Sequence, residues 1–307
     1  MTQVQIRCVA AIANACGESP VWDHREGVLY WVDVYQPALW RFDPATANVA
    51  HKPLSVLVGS IGLRRTGGLV AATERGFAAL DWPSGSLRHL AEHRPQRPVF
   101  RFNDGKCDRQ GRFWAGTVDT KTYSAGGELF RLDPDGSTHF CGNDLVTPNG
   151  IAFSPDGKTM YLADSRRDLV YVLDLDIVTG DVAGRRVWAS TANLPARIDG
   201  ATVDVEGRYW CAHVRDWHVA CYRRDGSIER RIRLPIEHPL MCTFGGESLD
   251  VLYVTSGTFL LTDETRDDQP MAGGLFEIRG LGASGLRETP FDDTAMCISW
   301  MNESATI

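Results

Sequence analysis

Short apolar runs alternate with polar turns along the whole chain, and one phrase recurs: a turn containing Gly or Asp, then a run of aromatic and β-branched residues. The copies are Gly27-Val28-Leu29-Tyr30-Trp31-Val32, Gly67-Gly68-Leu69-Val70-Ala71, Gly111-Arg112-Phe113-Trp114-Ala115-Gly116, Gly157-Lys158-Thr159-Met160-Tyr161-Leu162, Gly207-Arg208-Tyr209-Trp210-Cys211-Ala212 and Asp250-Val251-Leu252-Tyr253-Val254. A second apolar run closed by a turn follows each copy, as in Leu39-Trp40-Arg41-Phe42-Asp43-Pro44. The period of roughly 42 to 50 residues is that of propeller blades. No segment longer than a turn repeats at helical spacing, so the chain reads as all-β. A lone four-stranded sheet cannot cover both its faces, whereas six arranged radially cover one another and leave only short edges. The pattern predicts a six-bladed β-propeller of four-stranded antiparallel blades, starting near residues 18, 60, 103, 149, 199 and 242, with residues 1–307 as one domain. Two β-sandwiches would not explain the even spacing. Val4 to Val9 is expected to pair into the last blade and close the ring; 292–307 continues no strand pattern and forms a C-terminal extension.

Composition narrows the partners. The 307 residues carry a formal net charge of −7, which argues against nucleic acid or an anionic membrane and for a small neutral or metal-bound substrate. The first ten residues lack an apolar core of signal-peptide length, and nowhere do about eighteen apolar residues run together, so a cytoplasmic protein is expected. The eight cysteines show no CxxC spacing and read as reduced thiols.

The innermost strand of each blade lies about ten residues before the recurring phrase. Glu18, Asn103, Asn149 and Asp199 enter four of these strands in equivalent phase, with Ser60 and Cys242 in the other two. In a propeller such positions meet around the central channel. Two carboxylates and two amides facing a narrow channel suit a hard divalent cation, which would offset the repulsion between Glu18 and Asp199. Strand alternation puts Arg101 on the channel side with Asn103 and turns Asp104 away, to satisfy backbone groups. Loops between second and third strands should surround the same end, bringing Tyr35, Lys121, Tyr123, Arg166, His213 and Trp217 to its rim.

Gly17-Glu18-Ser19-Pro20-Val21-Trp22, Arg101-Phe102-Asn103-Asp104-Gly105-Lys106, Asn149-Gly150, Asp199-Gly200 and the late Phe244-Gly245-Gly246 together resemble the regucalcin and gluconolactonase family. The resemblance implies one divalent metal held at Glu18, Asn149 and Asp199. It also implies contact between a sugar lactone and Arg101 and Asn103, and proton transfer at Asp199. Lys121 stands where the animal lactonases carry a glutamate that reaches substrate, which points to a different sugar. Oxygen ligands accept Ca, Zn, Mg, Mn or Fe(II) alike.

The expected chemistry is therefore opening of an aldonolactone by metal-activated water, with Asp199 as general base and Lys121, Tyr123, His213 and Trp217 as further substrate contacts. The chain lacks a Gly-x-Ser-x-Gly elbow, which disfavours a serine nucleophile. Three alternatives stand beside this: a histidine base at His213 or His218, a phosphotriesterase-like hydrolase, and a non-enzymatic calcium-binding propeller.

Overall fold

A computed structural model describes residues 3–92 and 100–297. Six four-stranded antiparallel sheets form blades 1 to 6: 17–53, 58–92, 100–145, 148–190, 197–233, and 239–279 together with the N-terminal strand. Within blades 1 to 5 the strands lie side by side in chain order. The sixth blade contributes three strands of its own and takes its outermost from Gln5–Ala10, which pairs antiparallel with Leu275–Arg279. Closing the ring with the chain's first strand leaves no broken edge between the two ends.

Burial falls from the axis outward and explains the composition of each strand. The inner strands Val58–Leu63, Pro148–Phe153 and Pro239–Gly245 are buried at every position. Outer strands such as Val182–Ser190 are largely exposed. Aromatic side chains fill the wedges between blades, because the gap widens away from the axis. Trp22 of blade 1 stacks on Tyr253 of blade 6 with ring centroids 5.7 Å apart, and Tyr161 of blade 4 packs 5.1 Å from Tyr209 of blade 5. Blades 3 and 5 repeat one further device, Asp-x-x-x-Arg-x-Trp. The fully buried Asp108 accepts from Arg112 Nε (2.5 Å) and Trp114 Nε1 (2.9 Å), while Asp204 accepts from Arg208 Nε (2.7 Å) and Trp210 Nε1 (2.9 Å). Each carboxylate thus pins the hairpin between first and second strands to the tryptophan of the recurring phrase.

The segment after blade 6 crosses the end of the channel opposite the inner-strand entries. Gly285 bridges to Asp204, Phe291 bridges to Arg64, and Asp293 pairs with Arg64 at 2.5 Å. Between these anchors Glu288 takes Lys106 Nζ at 3.1 Å and Thr243 Oγ1 at 3.3 Å. Only about 10 Å³ of space remains beneath it, about one water molecule. The channel is therefore a pocket closed at one end. Of the C-terminal extension read from the sequence, 292–297 belongs to this strap and 298–307 lies outside the described residues. Among the described residues no helix is long and apolar enough to cross a membrane, and all eight cysteines are free thiols.

Candidate active site

Each inner-strand motif lies inside a strand at a bulge. The ladder slips between Glu18 and Val21, Phe102 and Gly105, Asn149 and Ala152, and Ile198 and Ala201. A bulge sets two residues against one and re-aims the side chain beside it. Ser19 and Gly150 take the left-handed backbone that this requires, at φ 53° and 56°. At Gly150 only glycine fits: a Cβ there would stand 2.2 Å from the Tyr209 hydroxyl, which donates to the Gly150 carbonyl at 2.9 Å. Repeated around the ring, the bulges turn Glu18, Asn103, Asn149 and Asp199 onto one cavity of about 150 Å³.

Of the two carboxylates at its floor, Glu18 takes a backbone hydrogen bond from Ser19. Among the described residues, no ion pair and no side-chain hydrogen bond reaches Glu18 or Asp199. Burial pushes Glu18 well above the ordinary carboxylate range, with the charges of Asp199 and Asp104 adding to the effect and Arg101 opposing it. Asp199 is pushed up to about 8 by burial and then by Asp104, again against Arg101. Asp104 itself accepts the amides of Gly105 (2.7 Å) and Ile151 (2.8 Å), the backbone role expected from its phase, and burial raises it to about 6.

The amides are oriented by their neighbours. The Ser165 hydroxyl donates to the Ile198 carbonyl, so its oxygen is left to accept from Asn149 Nδ2 at 2.8 Å. That fixes the Asn149 carbonyl oxygen on the Asn103 side, where it accepts from Asn103 Nδ2 at 2.6 Å with a lone pair to spare. Asn103 also donates to the Pro148 carbonyl at 3.0 Å and accepts from Arg101 Nη1 at 2.9 Å. Its polar atoms are all engaged, and it braces Arg101 against Asn149. Arg101 Nε is buried without a partner.

This donor set fits a hard cation: two carboxylates outside any ion pair and an amide oxygen whose nitrogen is tied back. Among the described residues no three of His, Cys, Asp and Glu gather as a metal cluster, so Asn149 would have to supply the third protein donor.

The walls come from the loops expected at this end. Tyr35, Tyr123, Ser165, Arg166, Val214, Arg215, Phe259 and Leu260 line the cavity, with Cys16, Thr147 and Arg197 from the entries to the first strands. Buried aspartates hold these loops. Asp33 accepts the amides of Ala15, Cys16, Tyr35 and Gln36, and Asp164 those of Val146 and Thr147.

Three expected contacts are not on the cavity. Lys121 is exposed on a turn whose amides bind Asp119. His213 is fully buried between blades, with the Tyr222 hydroxyl at 2.9 Å and Asp216 at 3.4 Å, and burial pushes its pKa down to about 4. Strand alternation explains the swap, since Val214 next to it faces the cavity instead. Trp217 lies under the Arg233 guanidinium, 5.0 Å away, outside the lining. Ser165, Arg197 and Arg215 were not anticipated. A signal for Arg197 existed, because it precedes Asp199 by two residues as Arg101 precedes Asn103.

Fold and pocket define a class: six-bladed propellers with an oxygen-rich pocket floor at one end of a closed channel. Residues 16–258 match the family model described as the SMP-30/gluconolactonase/LRE-like region, and the chain belongs to that family. It is 36% identical to a regucalcin from Xenopus laevis over 95% of this chain and 99% of that one. It is also 36% identical to a 6-deoxy-6-sulfogluconolactonase from Pseudomonas putida over 89% of this chain and 94% of the relative. A solved calcium-binding regucalcin from Agrobacterium tumefaciens superposes with a TM-score of 0.89 at 26% identity, covering 94% and 97% of the two chains.

Proposed function

We propose that this protein hydrolyses the lactone of a sugar acid, with a divalent cation held by Glu18, Asn149 and Asp199. The observation that carries the reading is the pair of half-buried carboxylates, each raising the other's cost of ionisation and neither held in an ion pair, on one small cavity; a folded chain keeps such a pair at a cost unless something cationic neutralises it. Family membership and the lactonase activity named for the Pseudomonas putida relative support the substrate class.

When bound, the cation supplies Lewis acidity toward the lactone carbonyl and makes water more acidic. Asp199 takes a proton from the attacking water, and the C–O bond forms as the carbonyl π pair moves to oxygen. Arg101, held by Asn103 and the Phe102 carbonyl, offers its guanidinium to the negative oxygen of the tetrahedral intermediate. Collapse breaks the bond to the ring oxygen, and the protonated Asp199 returns its proton to that leaving alkoxide. Tyr35 and Tyr123 offer aromatic walls to the ring.

The test is proton release from five- and six-membered aldonolactones by chelated protein with Ca, Mg, Mn, Zn or Fe(II) restored in turn. Restoration by at least one ion is expected. Full activity in demetallated protein would overturn the metal assignment, and silence on every lactone with every ion would overturn the function.

A further inference from the structure

We infer that the mouth of this cavity binds an anionic group on the substrate, at the end of the sugar acid remote from the lactone carbonyl; this rests on the lactonase reading for the rest of the molecule. Arg166, Arg197 and Arg215 come from three separate segments, the second-to-third-strand loops of blades 4 and 5 and the inner strand of blade 5, and all line the cavity. Their placement runs against the protein's overall acidity of 39 carboxylates to 32 basic residues.

Among the described residues, no carboxylate lies within ion-pairing distance of any of the three guanidinium groups, and none donates a hydrogen bond to a protein acceptor. Arg166 rests on the face of Tyr123, 3.6 Å from the ring centroid, which orients it and leaves its edge N–H groups free. Arg197 is half-buried on the same lining, two residues before Asp199 on the inner strand of blade 5. Asp168 offsets part of the charge on Arg197, but guanidinium groups gathered at one opening without a direct ion pair still repel one another; a bound oxyanion removes that repulsion and accepts paired N–H donors.

The floor and the mouth thus differ in sign. Carboxylates and amides at the floor suit a cation and the lactone carbonyl, whereas the arginines at the rim suit phosphate, sulfonate or carboxylate. A sugar lactone spanning both would carry its charge on the terminal carbon. Neutral aldonolactones leave the arginines unanswered.

Equilibrium binding of ring-opened acids to the metal-loaded protein tests this without requiring turnover. The probes are gluconate, glucarate and 6-phosphogluconate, which differ at the terminal carbon. We expect at least one anionic terminus to bind about tenfold or more tighter than the neutral one, the worth of one charge-assisted contact. Glucarate ahead of 6-phosphogluconate would identify a carboxylate site, the reverse order a tetrahedral oxyanion site. Arg197→Gln and Arg215→Gln should each bring the ratio of anionic to neutral affinity toward one, and so should raised salt, because the rim is open to solvent. Equal affinities in the parent, or a ratio unmoved by both variants, would overturn the inference. Anionic preference lost in the variants, but with no lactone hydrolysed, would uphold the anion site and remove the lactonase reading instead.

Discussion

Asp199→Asn separates the two burdens placed on this carboxylate. In the metal-free fold, burial and Asp104 raise Asp199 from 3.8 to about 8. The folded chain therefore holds a proton at pH 7 that the unfolded chain has released. Each pH unit between the unfolded value and pH 7 costs about 1.4 kcal/mol, so the metal-free protein bears at most about 4 kcal/mol, less whatever the water in the cavity screens. The sign follows from the raised value: the penalty is absent near pH 4, grows as pH rises and levels off near pH 8. Asparagine takes up no proton and lifts the penalty. Chelated Asp199→Asn should thus be more stable than chelated parent at pH 7, with the difference closing at pH 4, as read by urea unfolding at both pH values. Turnover should move the other way, falling about 10²- to 10⁴-fold at saturating metal because the proton acceptor is gone. A stability difference that does not change with pH would refute the account of uncompensated charge. A variant that holds metal and turns over near the parent rate would refute the base, and Glu18, the other carboxylate on the cavity, would take its place.

Four further outcomes follow from particular contacts. Ser165→Ala frees the Asn149 amide to rotate, and metal affinity by titration should fall about tenfold or more while the rate at saturating metal is largely kept. Gly150→Ala drives a methyl into the Tyr209 hydroxyl on left-handed backbone and should cost about 2 kcal/mol or more in urea unfolding. His213, pushed down to about 4, contributes stability that is complete above its unfolded value of 6.5 and is lost as pH falls toward 4. The loss should reach about 3 kcal/mol, and His213→Gln should flatten that limb of the pH–stability profile. Lys121→Glu should leave the ranking of lactones by kcat/KM unchanged, because the side chain stands in solvent away from the cavity; a changed ranking would place that loop over the site.

The sequence by itself determined the ring. Period, strand alternation and turn chemistry are local properties, and a repeated local unit that cannot cover its own faces has few ways to bury them. Six blades, closure by the first strand and the shared phase of Glu18, Asn103, Asn149 and Asp199 were all legible for that reason. What alternation could not carry was orientation next to a bulge or in a loop. His213 and Val214 are adjacent, and only the register of Tyr209–Val214 against its neighbours decides that the histidine goes between blades and the valine to the cavity. Ser165 gained its role from the Ile198 carbonyl of the next blade, 33 residues away, which consumes the one proton its hydroxyl has. The arginines of the rim lie up to 49 residues apart along the chain, from Arg166 to Arg215, and become one feature only when the ring brings two blades together. Tertiary structure decided these because hydrogen-bond direction and charge proximity are relations between segments, and no single segment holds both partners.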